Sequence, residues 1–266
     1  MSDIFQISRI LGLATLAFVF TMAWTPALMH FLYKYRLGKQ IRADGAPIFS
    51  SFHQKKQGTP TMGGILIWGT TLILALFFWL SAKLGIDSWV TKVNFLDRSQ
   101  TFLPLGVLAA SAFVGLIDDL LGIFRLGSKG GGLKMRHRLL IYTAIAAFGA
   151  WWFFVKLEWS IIHIPFVGDF NIGWWYILVF IFIVVATAFS VNETDGLDGL
   201  AGGILLVAFG AYGAIAYSQG HYNLVAFCGV LIGGLLAFLW FNVHPARFFM
   251  GDTGAMPLGI VLAMMA

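Results

Sequence analysis

Seven long apolar runs leave this chain very few ways to fold. Crossing a bilayer as a helix takes roughly 20 residues. Runs of about that length lie at Ile10–Tyr33, Thr61–Leu84, Phe102–Phe124, Leu139–Leu157, Trp174–Val191, Leu200–Ser218 and Leu224–Val243. An eighth starts near Thr253 and stops at Ala266, about 14 residues on, which is too short to span. Lipid offers no hydrogen bonds, so each run must satisfy its own backbone as a helix. The composition fits this reading. Residues are 59% hydrophobic and only 11% charged, against about 25% charged in a soluble domain. The expected fold is an all-α polytopic bundle of about seven complete transmembrane helices and a partial eighth, one integral-membrane domain over residues 1–266. The first run is too long for a signal peptide, and no small-residue cleavage site precedes Lys34 and Arg36, so it is expected to be retained.

Basic residues set the orientation. Taking alternate connections, one side collects Lys34, Arg36, Lys39, Arg42, Lys55, Lys56, Arg125, Lys129, Lys134, Arg136, Arg138 and Arg247, twelve of the seventeen. The other holds Arg9, Lys83, Lys92, Arg98 and Lys156. The richer side is expected to be cytoplasmic, with the N-terminus outside. The net charge of +5 is thereby explained without nucleic acid. Cys228 is the only cysteine, so neither a disulfide framework nor a thiol metal site is available. Lys129-Gly130-Gly131-Gly132 reads as a flexible basic turn.

Four polar clusters interrupt the apolar text, and this topology puts all four on one side. Lys55-Lys56-Gln57-Gly58-Thr59-Pro60-Thr61-Met62-Gly63-Gly64 sets basic residues before a turn that opens a helix, which suits an anion at free N–H groups; taken by itself, a positive anchor before a proline-initiated helix explains it better. Asp118-Asp119 closes an apolar helix. Ionisable groups at such depth point to function, and adjacent carboxylates repel unless a cation or a proton relieves them. One member can hold a metal while the other moves a proton. In Asn192-Glu193-Thr194-Asp195-Gly196-Leu197-Asp198-Gly199, two Asp three apart with Gly beside each can gather on one side of a turn to bind a cation, a ribose or a phosphate-bound metal. A helix cap followed by a turn has the same composition. The fourth cluster runs from Phe241 to Gly254, where Asn242 and an aromatic could read a flat base. Arg247 offers a phosphate partner and Asp252 a metal ligand. A single Asp-Thr-Gly opening a membrane helix is not the paired acid of an aspartic protease. His244 reads as a capping or interfacial residue, and the other histidines lack metal-ligand spacing. Together the clusters suggest a nucleotide diphosphate with Mg²⁺ and a second substrate dissolved in the bilayer. A transporter with an acidic ion relay is the alternative from another class. It predicts acids near helix midpoints, whereas these lie at helix ends.

The strings Gly58-Thr59-Pro60-Thr61-Met62-Gly63-Gly64, Asp118-Asp119, Asn192 with Thr194-Asp195-Gly196-Leu197-Asp198-Gly199-Leu200-Ala201, and Pro245-Ala246 with Phe249-Met250-Gly251-Asp252-Thr253-Gly254 resemble the phospho-N-acetylmuramoyl-pentapeptide transferases. These are a branch of the polyprenyl-phosphate N-acetylhexosamine-1-phosphate transferase superfamily. The resemblance implies transfer of phospho-N-acetylmuramoyl-pentapeptide from its UDP-linked donor to undecaprenyl phosphate, giving lipid I and UMP in peptidoglycan synthesis, with Mg²⁺ as cofactor. It implies a bacterial inner (plasma) membrane location, a cytoplasmic active site and a possible homodimer. Under it, Asp252 is the metal ligand, Asp118 the base with Asp119 beside it, and Asp195 part of the catalytic centre. Substrate-binding positions are Lys56, Thr59, Lys134, Asn192, Gly196, Leu197, Asp198, Asn242 and Phe249, the last stacking on uracil. A related transferase for another UDP-amino sugar is the alternative within the superfamily. Departures are Gly122 where a Lys is usual, Phe189 in place of an Asn, Glu193 in place of an apolar residue, and Ala255-Met256-Pro257 after Gly254. The family pattern of about ten helices and a later His-rich loop implies that its C-terminal part is missing from this chain.

Overall fold

The computed structural model describes residues 3–38, 58–85, 88–97, 100–126, 131–164 and 167–266. Its helices are α1 (Asp3–Lys34), α2 (Ile65–Lys83), the short α3 (Ser88–Val93), α4 (Phe102–Ile123), α5 (Met135–Trp151), α6 (Trp175–Thr194), α7 (Leu200–Ser218), α8 (Tyr222–Asn242) and α9 (Asp252–Met265). A π turn at Trp152–Lys156 prolongs α5. Among the described residues seven helices are long and apolar enough to cross a membrane, so the chain is a multi-pass membrane protein. Among the described residues the one addition to the all-helical expectation is a two-stranded antiparallel hairpin, β1 (Ile161–Ile164) with β2 (Gly168–Asn171), between α5 and α6.

Two helix starts differ from the hydropathy reading. α1 begins at Asp3 rather than Ile10, because its polar first turns are satisfied sideways. Arg9 donates to Gln6 Oε1 at 3.0 Å, to the Asn94 carbonyl at 3.3 Å and to Asn223 Oδ1 at 2.5 Å. α5 begins at Met135 rather than Leu139, so Arg136, His137 and Arg138 form its first turn.

The short helix α9 changes most in meaning. Composition alone makes it a partial insertion, yet every residue from Asp252 to Met264 is buried. It lies between α4 and α6 and touches α7 and α2. Small residues let it in. A side chain at Gly115 of α4 would strike the Asp252 carbonyl, and one at Gly259 would come 2.9 Å from the Ala188 Cα of α6. Thr253 Oγ1 donates to the Ala112 carbonyl at 3.2 Å and accepts from Trp68 Nε1 at 3.2 Å. Polar groups in lipid need partners of this kind. On the other flank α8 packs along α1, where Gly233 lets the Ala14 carbonyl approach.

Three strands of backbone meet just before α9. Thr61 N donates to the Leu37 carbonyl at 3.0 Å, Phe249 N to Pro60 O at 2.8 Å, Gly63 N to Phe249 O at 2.8 Å and Gly64 N to Met250 O at 2.9 Å. The Gly-Gly pair is a packing requirement, since a Cβ on Gly254 would lie 2.7 Å from the Gly64 Cα, backbone against backbone. Gly64→Ala is therefore expected to destabilise the protein by about 1–3 kcal/mol, the usual cost of overpacking. Thermal unfolding in detergent measures this. An unchanged midpoint would show that α2 and the 249–254 segment slide apart freely.

Candidate active site

The junction that seats α9 also gathers the acids. Asp119, 4% exposed, accepts the Thr253 N–H at 3.0 Å. It thus caps α9 from another helix, at the end where the dipole favours a carboxylate. Asp195, in the turn after α6, accepts Gly251 N–H at 3.1 Å and holds the residue just before Asp252. Gly251 has φ +75° and a Cβ there would lie 2.5 Å from Asp119 Oδ2; only glycine fits both demands.

Asp252 itself uses both oxygens. Oδ1 accepts from Asn192 Nδ2 at 2.6 Å and Oδ2 from the Arg138 guanidinium at 3.0 Å. The same guanidinium stands 2.7 Å from Asp118 Oδ2 through its Nε. Asp118 and Asp252, 134 positions apart in sequence, are therefore separated by a single planar cation whose fork suits two carboxylates. Asp118 Oδ1 accepts Leu133 N–H at 2.6 Å. The turn that delivers it has positive φ at Gly131 (+97°) and Gly132 (+84°), and a Cβ on Gly132 would lie 3.1 Å from Asp118 Oδ1. The described part of the glycine run is thus a fitted cradle for a carboxylate, where the sequence reading expects only a flexible turn.

Arg138 is the site residue that the sequence reading misses, having counted it among the orienting charges. A signal was available. Arg136 and Arg138 sit in the first turn of a helix, where the dipole opposes cations, so a basic residue there needs a partner of its own. Lys134, expected at the site, is exposed one residue before α5; Arg138, one turn on, is the residue that reaches inward.

A second layer surrounds the 195–199 turn. Asp198, its side chain 4% exposed, accepts from His244 Nδ1 at 2.9 Å and from Ala246 N at 3.4 Å. Asn242, 3% exposed, accepts Gly199 N–H at 3.0 Å and donates to Phe248 O at 2.9 Å. Its amide therefore braces two backbone segments. Each amide atom keeps one further hydrogen-bonding position, so the bracing role and the expected base-reading role are compatible. Gly196 and Leu197 are exposed on the turn, and Phe249 is half-buried beside it. Arg247 lies over the Phe241 ring at 5.7 Å, an arrangement that leaves its charge near the surface. Thr59 is half-buried at the α1–α2 junction. At the start of α2, where an anion site is expected, the N–H groups of Gly63 and Gly64 donate to the Phe249 and Met250 carbonyls. Lys56 lies outside the described residues.

The metal-ligating atoms available here are carboxylate oxygens, the chemistry that suits a hard cation such as Mg²⁺. Among the described residues no three acidic, imidazole or thiol groups form a ready metal cage. That is compatible with Mg²⁺, which is usually held by one or two carboxylates together with substrate phosphates. Asp252 is the residue that fits it, with Asp118 facing it across the Arg138 guanidinium.

The chain is similar to known proteins along most of its length. Residues 101–266 match the model of glycosyl transferase family 4, and residues 56–67 match a phospho-N-acetylmuramoyl-pentapeptide-transferase signature. A phospho-N-acetylmuramoyl-pentapeptide-transferase of Chloroflexus aggregans is 40% identical over 268 residues, covering 98% of this chain and 68% of the relative. Proteins of the same name from Geobacillus thermodenitrificans (36%, covering 94% of this chain and 72% of the relative) and Levilactobacillus brevis (33%, 92% and 71%) are similar along nearly the same span.

Proposed function

We propose, since this chain belongs to glycosyl transferase family 4 among the phospho-N-acetylmuramoyl-pentapeptide transferases, that it transfers phospho-N-acetylmuramoyl-pentapeptide from UDP to undecaprenyl phosphate. The observation that carries the reading is the Asp118–Arg138–Asp252 bridge at one end of the spans. There a charged donor from water and a phosphate anchored in the bilayer can meet. Described basic residues at that end, Lys34, Arg36, Arg125, Lys134, Arg136 and Arg247, support a cytoplasmic orientation in the bacterial inner membrane.

In this mechanism a lipid phosphate oxygen attacks the β-phosphorus of the donor. The bond from that phosphorus to the bridging oxygen breaks, UMP leaves, and lipid I remains in the membrane. Asp118 takes the proton of the attacking phosphate, held for it by the Leu133 N–H. Asp252 would hold Mg²⁺, which would supply charge neutralisation to the diphosphate. Arg138 orients Asp118 and Asp252 together, and Asn192 fixes the rotation of the Asp252 carboxylate. Asp119 and Asp195 position the 251–253 backbone. The turn at Gly196, Leu197 and Asp198, with Phe249, offers the surface for the uridine. Catalysis then rests on positioning and charge stabilisation more than on covalent chemistry.

The test is UMP release by the purified protein from UDP-N-acetylmuramoyl-pentapeptide, with undecaprenyl phosphate and Mg²⁺. Release is expected to require both substrates, and Asp118→Asn to lower it by about a hundredfold or more. Release with UDP-N-acetylglucosamine in place of the muramoyl donor would move the chain to the related transferases. Ion flux without UMP release in proteoliposomes would make it a transporter.

A further inference from the structure

The hairpin lies at the end of the bundle away from the acids, since α5 runs from Arg138 to the hairpin and α6 returns from it to Asn192. Its register pairs Ile161 with Asn171, Ile162 with Phe170, His163 with Asp169 and Ile164 with Gly168. Alternate residues of a strand point to opposite faces. One face therefore carries Ile162, Ile164 and Phe170, and the other carries His163, Asp169, Asn171 and Ile161. His163 Nδ1 and Asp169 Oδ1 are 2.6 Å apart on that second face, with side chains about 70% exposed. The apolar face is also uncovered: Ile164 and Phe170 are each 44% exposed, and Val167 at the turn 67%. Among the described residues neither strand makes an extensive contact with any helix.

A two-stranded hairpin is marginal in water and needs its apolar face covered. We propose that this hairpin is an interfacial anchor whose apolar face is seated in the headgroup boundary of the leaflet opposite the candidate active site. Both strands are tied by short connections to spans that end at that surface, so the hairpin cannot stand far from lipid. A collar of exposed tryptophans marks the level: Trp151 and Trp159 before and after the π turn, Trp174 and Trp175 where α6 begins. Tryptophan gathers at membrane–water interfaces because one part of the ring is apolar and the N–H is polar. Lys156 lies 5.9 Å from the Trp151 ring, with the stem along apolar surface and the charge free to reach water. Lipid covers Ile162, Ile164 and Phe170, while the hydrogen-bonded side chains of His163 and Asp169 face the solvent.

The test reads depth residue by residue. Spin labels are placed singly through Ile164→Cys, Phe170→Cys, His163→Cys and Asp169→Cys, in the full chain reconstituted into phosphatidylethanolamine–phosphatidylglycerol vesicles. Cys228 is buried and does not compete for the label. Labels at 164 and 170 are expected to relax preferentially with oxygen, which concentrates in lipid. Labels at 163 and 169 are expected to relax with a water-soluble nickel complex, so the preference reverses between neighbouring residues. Nickel preference at all four positions would mean that the hairpin stands clear of the bilayer and would overturn the proposal. Shielding of 164 and 170 from both reagents would do the same, by showing that a protein surface, such as a second copy of the chain, covers that face.

Discussion

Asp252→Asn is expected to reduce UMP release by about a hundredfold or more, the usual cost of removing one preorganised charge-stabilising group, while leaving the fold in place. The substitution is isosteric, so α9 keeps its first residue and its packing against Gly115. It fails electrostatically. Asp252 accepts from Asn192 on one oxygen and from Arg138 on the other, and an amide can accept on one atom only. Its NH₂ must face one of those two donors, and the negative charge that a divalent cation needs is lost. The Mg²⁺ concentration giving half-maximal rate should therefore rise along with the fall in turnover. A thermal midpoint close to wild type would separate this chemical loss from unfolding. A wild-type rate at ordinary Mg²⁺ would remove Asp252 from the mechanism.

The seven spans were legible because lipid admits no unsatisfied backbone, so each crossing had to be written as an unbroken apolar run. Helix ends were less legible. Gln6 and Arg9 count against a helix by hydropathy, but the structure satisfies Arg9 through Asn94 and Asn223 on other segments. Hydropathy also cannot tell an apolar residue facing lipid from one facing protein. That is why α9 reads as a short leftover when it is buried at the centre of the bundle. The strands escaped notice because four residues each, directly after an apolar run, carry too little alternation to stand out. For the site, the acids announced themselves by being charged near a bilayer. Their grouping depended on topology, since a helical chain that alternates sides returns 118, 195 and 252 to one surface. Arg138 stayed hidden because a basic residue on the positive side already had an explanation. For Asn242 the sequence suggested a binding role, and only the bonds to Gly199 and Phe248 reveal that its amide also braces two backbone segments.

Arg138→Leu tests the bridge itself. The change leaves Asp118 and Asp252, 4% and 7% exposed, facing each other without their shared cation. Removing one partner of a buried ion pair costs about 3–5 kcal/mol. The lower end, about 3 kcal/mol, is expected here because the Arg138 side chain retains 22% exposure. In detergent that corresponds to a fall of roughly 5–10 °C in the unfolding midpoint for a chain of this size. The cause is identified by a cycle. If the loss comes from stranded carboxylates, adding Asp118→Asn to Arg138→Leu should recover part of it, with a coupling on the order of 1–3 kcal/mol. Strictly additive losses would mean that Arg138 contributes through its apolar stem alone. Arg138→Lys divides stability from function. An ammonium keeps the charge but is a point donor and cannot hold two carboxylates in one plane as the guanidinium fork does. Much of the midpoint should return with lysine while UMP release stays depressed, because the relative orientation of Asp118 and Asp252 is what the guanidinium sets.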